Sequence, residues 1–194
     1  DDEGNSPLLV AEEIGRTEAE SPMVDAQKLD EKIVNEKIVT LLKKAVQNRA
    51  EGEAGVKDLI GAASRGEHET VKQLIEYGAD VNAKFNGDGI TPLLAAIQYG
   101  RDENTIQVLL DAGADPNIAD KEGKTPLYEA MSLYGQENVI YSLIAAGADV
   151  NIANNQGETP LHKAASLHNH QSFVHILLEA GADFTVRDKQ GNTP

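Results

Sequence analysis

The sequence predicts an all-α solenoid, built from stacked helix-turn-helix-hairpin units with a capping helix at the N-terminal end. Two short motifs carry this prediction, because both recur along the chain. Thr-Pro begins at Thr91, Thr125, Thr159 and Thr193, and Gly-Ala-Asp begins at Gly78, Gly113, Gly147 and Gly181. Successive Thr-Pro pairs lie 34 residues apart, and a fixed period of this length is typical of stacked structural repeats. Aromatic residues make up only 4% of the chain, so the core must be aliphatic and rich in alanine.

Composition and charge argue against several classes of function. The chain has no cysteine, which rules out disulfide bonds and thiolate zinc sites and fits a reducing, cytoplasmic compartment. The net charge of −15 comes without a cluster of Lys and Arg, so neither nucleic acid nor an anionic membrane surface is an expected ligand. No apolar run approaches the ~20 residues that a membrane span requires. The length of 194 residues suits one domain with an appendage.

Residues 1–50 differ from the rest of the chain. Residues 1–20 are acidic and are predicted to be a disordered tail, although Asn5-Ser6-Pro7 and Gly15 could start and end a short helix. Residues 21–50 are predicted to form one amphipathic helix, because apolar residues follow Ser21-Pro22 at spacings of three and four. This helix is expected to cover the N-terminal face of the stack, where a terminal repeat needs a cap. Its apolar stripe could instead bind a partner helix.

The repeats are predicted over residues 56–194. The expected units are 56–90, 91–124, 125–158 and 159–192, and Thr193-Pro194 opens a fifth. The Thr supplies an N-cap, and the Pro follows at the first helical position, where its missing N–H is not needed. A second helix then carries bulky aliphatic residues on one face. The Gly of Gly-Ala-Asp ends that helix, because a left-handed residue there satisfies the last carbonyl groups.

These motifs resemble the ankyrin repeat. Thr159 to His162 reads Thr-Pro-Leu-His, Gly147 to Asn151 reads Gly-Ala-Asp-Val-Asn, and the same positions recur through residues 56–194. The resemblance implies pairs of antiparallel helices with projecting hairpin loops. It also implies a concave face, made by the first helices and the loop tips, that binds proteins.

The chain departs from the family pattern in three respects. Its period is longer than the usual repeat of about 33 residues, and we expect the extra residue near the turn between the helices. The His of the motif is present only at His162, with Leu94 and Tyr128 in its place elsewhere, so two repeats should lack its hydrogen bond to the helix start. The loop 82–89 is one residue longer and is expected to carry Phe85 at an exposed tip. These departures favour a natural, diverged array.

One set of residues near the turns is predicted to bind a partner. Aligning the repeats on the turn between the helices makes four residues equivalent, which we call the turn ladder: Arg65, Tyr99, Tyr134 and His168. Leu133 and Leu167 precede two of them, and Phe85 should project from a neighbouring loop. The resemblance implies that this end of the first helix points toward the concave surface. Aromatic anchors carry much of the binding energy of interfaces, so the ladder is the preferred site. The alternative is ordinary surface decoration with some intramolecular packing.

The loop tips form a second candidate surface. Lys121, Lys124 and Glu158 belong to a stripe of mixed charge along these tips. Mixed charge favours a role in specificity more than in affinity. The alternative is a solvated edge of the array.

No catalytic, cofactor or metal site is predicted. The sequence lacks a nucleophile elbow and a phosphate-binding glycine loop, so the repeats are not expected to be an enzyme. His162, His168, His170 and His175 lie close together in sequence. However, His162 belongs to the repeat motif and His175 falls on the outward side of a second helix, so the four cannot converge on a zinc ion.

The sequence favours a protein-interaction module that is monomeric in isolation and binds a protein partner through its concave face and loop tips. The alternative is a targeting or spacer arm of a larger enzyme, toxin or secreted bacterial effector, which would act in the cytoplasm of a host cell. The unfinished repeat at Thr193-Pro194 and a first residue that is not Met favour that alternative. A third hypothesis is that the N-terminal helix masks the binding face.

Overall fold

The structure is a computed structural model that describes residues 52–85, 87–133, 136–167 and 171–194, together with residues 33, 36–38, 40, 41 and 44. The chain divides into two units, Asp1–Ala45 and Val46–Pro194. In the first unit the described residues are helical. The other residues of the helix predicted over 21–50, and the whole tail predicted over 1–20, lie outside the described residues. The capping role of this helix stays a prediction.

The described residues of the second unit form four pairs of helices. The first pair is α1 (Glu53–Arg65) and α2 (His68–Glu76). In the second pair, α3 (Pro92–Ala95) continues as a π-helix (Ala96–Gly100) and is followed by α4 (Glu103–Asp111). The third pair is α5 (Pro126–Ala130) and α6 (Glu137–Ala145), and the fourth is α7 (Pro160–Ser166) and α8 (Gln171–Glu179). The predicted all-α solenoid is confirmed.

The start of the first repeat differs from expectation. The sequence predicted a break over residues 51–55, but α1 already begins at Glu53, and Gly52 is its N-cap residue in an extended conformation. Gly55 is buried in the first turn of this helix. Because a glycine inside a helix is tolerated where packing supports it, the break is shorter than the glycine-rich composition indicated.

The helices form two layers. The first helices of successive repeats contact one another, from α1 through α3 and the π-helix to α5 and α7, and the second helices α2, α4, α6 and α8 do the same. Leucines at one position of the first helix lie in the core between the layers and are almost completely buried: Leu59, Leu93, Leu127 and Leu161. Small buried residues such as Ala62, Ala96 and Ala130 allow the first helices to approach closely. Stability therefore comes from stacking of neighbouring repeats.

The predicted helix starts are present. The hydroxyl groups of Thr91 and Thr125 each accept a hydrogen bond, both 3.2 Å long, from the backbone N–H three residues later. Thr159 makes the same contact, and the side chain of His162 accepts a hydrogen bond of 3.1 Å from the N–H of Thr159. The helix ends are also as expected. The four glycines of the Gly-Ala-Asp motifs have φ of 89°, 86°, 92° and 89°, the left-handed conformation in which glycine is not strained.

Asparagine side chains connect each loop to the next repeat. The amide of Asn117 donates to the carbonyl oxygen of Gly147 at 2.9 Å and accepts from the N–H of Asp149 at 2.7 Å. Asn82 and Asn151 make the same pair of contacts with the repeat that follows each of them. These paired hydrogen bonds, which we call the amide ladder, fix the spacing of the loops.

Candidate functional site

The turn between the helices shows which residues are equivalent in different repeats. Arg101 has a φ of 50° and is the one non-glycine residue of the described chain with a positive φ, and Gly66 has a φ of 72° at the end of α1. Both lie twelve residues before the glycine that ends the second helix, Gly113 and Gly78. Arg101 is therefore equivalent to Gly66. The predicted alignment, which paired Gly100 with Gly66, is wrong by one residue in the second repeat.

Tyr99 consequently shares its position in the repeat with Leu133 and Leu167. Each of the three follows its N-cap Thr by eight residues. The exposed fraction of the residue is 65% for Tyr99 and 4% for Leu133, while Leu167 is half-buried. The prediction that Leu133 contacts a partner is wrong, because its side chain packs in the core. Tyr99 and part of Leu167 remain accessible.

Two different backbone paths explain why equivalent residues differ in exposure. In the second repeat the helix widens, and the N–H of Arg101 donates to the carbonyl oxygen of Ala96 at 2.7 Å, a spacing of five residues. In the third repeat α5 ends at Ala130, and the N–H of Leu133 donates to the Ala130 carbonyl oxygen at 2.9 Å. The tight turn directs Leu133 inward, whereas the wide turn leaves Tyr99 at the surface.

Gly100 makes the wide turn possible. A Cβ atom at this position would lie 2.4 Å from the carbonyl oxygen of Ala63 in α1, closer than van der Waals contact allows. The end of the π-helix therefore packs directly on the backbone of the first repeat. A π-helical turn inside an α-helix is frequent at functional sites, and here it presents an exposed aromatic side chain.

A hollow of about 510 Å³ lies beside α1 and brings two predicted site residues together. Arg65 and Phe85, from α1 and from the loop after α2, both line it. The other lining residues come from α1 and α2: Lys57, Asp58, Ile60, Gly61, Thr70 and Leu74. The guanidinium of Arg65 donates two hydrogen bonds to the carboxylate of Glu67, of 2.5 and 3.0 Å. This bidentate contact raises the pKa of Arg65. It also holds the Arg65 side chain at the edge of the hollow.

Phe85 does not lie at an exposed loop tip, so that expectation is wrong. It is half-buried, and its N–H donates to the carbonyl oxygen of Ile90 at 2.9 Å. This bridge closes the loop and directs the ring toward α1 and α2. Phe85 therefore contributes to a concave apolar surface, which is a more favourable place for a binding residue than an isolated exposed tip.

The charged loop-tip residues make contacts within the array. Lys121 forms an ion pair with Asp88 of the preceding loop, which raises the pKa of Lys121. Lys124 forms an ion pair of 2.6 Å with Glu122, and this contact raises the pKa of Lys124. These exposed pairs add little to stability. Together they place positive and negative side chains next to one another along the loop tips.

Glu158 connects the first helix of the third repeat to the loop at the end of that repeat. Its carboxylate accepts hydrogen bonds from the hydroxyl of Tyr128 at 2.7 Å and from the amide of Asn154 at 2.9 Å. Both bonds favour the charged form and lower the pKa of Glu158, while burial and this carboxylate raise the pKa of Tyr128. Tyr128, which replaces the motif His, thus provides a contact of its own. In the second repeat Leu94 stands in place of the motif His and is fully buried.

Tyr134 and His168 of the turn ladder, and also His170, lie outside the described residues, so their roles stay predictions. The other two histidines of the cluster seen in the sequence, His162 and His175, are described. The ring of His162 lies against Thr159 and 3.2 Å from the carbonyl oxygen of Asn192, and His175 is exposed beside Glu179. Within the described residues, no group of three His, Cys, Asp or Glu side chains could hold a metal ion.

Sequence reasoning missed the apolar lining of the hollow. Ile60 occupies the position that Leu94, Tyr128 and His162 occupy in the later repeats. Counting the period backwards from His162 would have identified it as the equivalent residue in the first repeat, where it is only half-buried. Thr70 and Leu74 come from α2, and nothing in the sequence showed that they face the loop of Phe85.

The described helices form pairs that repeat every 34 residues, stack on one another and are joined through their loops. This arrangement defines a helical repeat protein of the solenoid class. A family model described as "Ankyrin repeats (3 copies)" matches residues 32–120, 59–154 and 102–188. The chain belongs to the ankyrin repeat family. Ankyrin repeats generally mediate protein–protein interaction and are typically non-catalytic binding modules. No helix in the described part of the chain combines the length and apolar character needed to cross a membrane.

Short segments of the chain are similar to curated proteins. The human "Mitochondrial disaggregase" is 44% identical over 62 residues, which is 32% of this chain and 8% of that protein. The mouse "2-5A-dependent ribonuclease" is 46% identical over 59 residues, 30% of this chain and 8% of the ribonuclease. The bovine "Cyclin-dependent kinase 4 inhibitor B" is 41% identical over 69 residues, 36% of this chain and 50% of the inhibitor. Each match thus spans half or less of the relative.

Proposed function

We propose that the array binds a protein partner through the surface formed by the first helices, the turns and the loop tips, and that it has no catalytic activity of its own. The hollow beside α1 is the observation that carries this proposal. It combines an apolar lining, including Ile60 and Phe85, with charged groups such as Arg65 at its edge. An apolar pocket surrounded by polar groups is the usual setting of an interface anchor.

Tyr99 adds a second anchor to the same layer of helices. Tyr99 is 65% exposed, and the π-helix that carries it packs on α1. A tyrosine loses little side-chain entropy on binding, because it has only two rotatable side-chain torsions. We propose that a partner inserts an apolar side chain into the hollow and packs against Tyr99. The charged pairs at Lys121 and Lys124 then favour a partner whose charges are complementary to theirs.

Two variants test this surface. Tyr99→Ala removes the exposed ring, and Thr70→Arg places a long side chain in the hollow. Proteins retained from a cell lysate by the wild-type chain should bind each variant at least about tenfold more weakly, as expected for loss of an anchor. Affinity for the most abundant retained protein is measured by calorimetry, and thermal unfolding should change little.

Two matched controls locate the effect. Tyr141→Ala removes a tyrosine that is 53% exposed on α6, and Asn138→Arg adds an arginine at an exposed position in the first turn of α6. Both controls should retain full affinity. Equal losses in controls and test variants, or unchanged affinity in the test variants, would show that the partner does not use this surface.

We also propose a second possibility, that the array is the targeting or spacer arm of a longer protein. The matched segment is 8% of the human disaggregase and 8% of the mouse ribonuclease, so similar repeats occur inside proteins named for other activities. Sequencing the complete transcript tests this possibility. An open reading frame that encodes a further domain supports it, and a frame that holds only repeats contradicts it.

A further inference from the structure

Acidic side chains are concentrated on the layer of second helices. The segments 68–80, 102–115, 136–149 and 171–183 contain eleven acidic residues and one basic residue, Lys72. The remainder of residues 56–194 contains eight acidic and nine basic residues. The layer of second helices is therefore strongly negative, whereas the first helices and loops are nearly neutral. A surface of this charge attracts cationic partners and repels nucleic acid and anionic lipid.

An apolar groove interrupts this acidic layer between α2 and α4. It has a volume of about 330 Å³, and Ile75, Val108 and Ala112 form its apolar part. Lys72, Glu76 and Asp111 complete the lining, so the charged groups at its edge sum to a negative charge. The volume is at the lower end of the range of about 300–1,000 Å³ for ligand sites. The groove therefore has room for one or two side chains.

The carboxylates at the edge of the groove are available to a ligand. Glu76 and Asp111 are both exposed. Asp111 accepts a hydrogen bond of 2.7 Å from the amide of Gln107, which is neutral and leaves the negative charge in place. Neither carboxylate forms an ion pair with any residue that the structure describes.

The next pair of second helices lacks an equivalent groove lining. Ser142 stands on α6 where Val108 stands on α4, and its hydroxyl donates to the side-chain oxygen of Gln107 at 3.2 Å. A polar contact therefore joins α4 and α6 at the position where the apolar Val108 lines the groove between α2 and α4. Ala146 is nevertheless equivalent to Ala112, since both are exposed and have nearly the same backbone angles. The two alanines therefore form a matched pair.

We propose that the groove between α2 and α4 binds an apolar side chain from a lysine- or arginine-rich segment of a protein. The apolar side chain packs on Ile75 and Val108, and neighbouring cationic groups pair with Glu76 and Asp111. This surface belongs to the second helices and is separate from the hollow and Tyr99. One array could therefore hold two protein segments at the same time.

A model peptide tests the proposal. The probe is a fluorescent peptide of leucine and lysine that forms an amphipathic helix, and the comparison peptide has glutamate in place of lysine. Fluorescence anisotropy should show saturable binding of the lysine peptide to the whole chain and no binding of the glutamate peptide. Ala112→Lys, which fills the groove and adds a positive charge, should weaken binding by about tenfold or more, and Ala146→Lys by less than about threefold.

A second variant keeps the test decisive if Ala112→Lys unfolds the chain. Glu76→Gln combined with Asp111→Asn preserves side-chain shape and should weaken binding roughly fivefold, because each exposed pair contributes modestly. Equal losses in Ala112→Lys and Ala146→Lys would indicate diffuse attraction to the acidic layer and would overturn the groove. Comparable binding of the glutamate peptide, or no binding of the lysine peptide, would overturn the proposal as well.

Discussion

Replacing Arg101 with glycine should stabilise the array. Arg101 has a φ of 50°, and a non-glycine residue in this conformation is destabilised by roughly 1–2 kcal/mol. Glycine relieves that strain but makes the unfolded chain more flexible, at a cost of about 0.4–1 kcal/mol. The difference between the middle values of these two ranges predicts a gain of about 0.8 kcal/mol in the free energy of unfolding. The backbone contacts of Arg101 are retained, because its carbonyl oxygen still accepts from the amide of Gln136.

Urea unfolding followed by circular dichroism measures this gain, with Arg101→Ala as the control. Alanine removes the exposed side chain but keeps the strained conformation, so Arg101→Ala should lie within about 0.5 kcal/mol of the wild type, as surface substitutions do. Arg101→Gly should shift the urea midpoint upward at an unchanged slope. Equal stability of the alanine and glycine variants would refute the reasoning, because it would mean that residue 101 carries no left-handed strain.

Two further predictions concern side-chain hydrogen bonds of the loops, one within a repeat and one between repeats. Tyr128→Phe removes a hydrogen bond to the charged Glu158 and should destabilise the array by about 1 kcal/mol at pH 7. The pKa of Glu158 is lowered in the folded chain. The stability that this hydrogen bond contributes is therefore present above the unfolded pKa of about 4.3 and is lost as pH falls further. A difference in stability between Tyr128→Phe and the wild type that stays constant down to pH 2 would contradict this prediction. Asn117→Ala breaks both contacts of one link in the amide ladder and should cost about 1–2 kcal/mol, whereas the exposed Asn104→Ala should be nearly neutral in the same denaturation assay.

The fold was predictable because its signals are local. Thr91 caps a helix through its own hydroxyl, and Gly113 ends one through its own backbone conformation, so each acts within a few residues of sequence. The period then placed equivalent helices side by side. The family assignment rests on the same repeated positions.

The candidate site was predictable only in part, because it depends on contacts between repeats. Tyr99 and Leu133 occupy one repeat position, yet their exposures differ because Gly100 lets the second repeat widen against the backbone of Ala63. No local pattern encodes that choice. Phe85 is a similar case, since its pairing with Ile90 and its position beside α1 arise only in the folded loop.

The amide ladder also has a kinetic consequence. Its links join residues 30 to 33 apart in sequence, so each link connects only two neighbouring repeats. Opening an end repeat breaks one set of links, whereas opening an inner repeat breaks two. Amide protons should therefore exchange with solvent most slowly in α4 and α6 and faster toward α8, as in a chain that unzips from its ends.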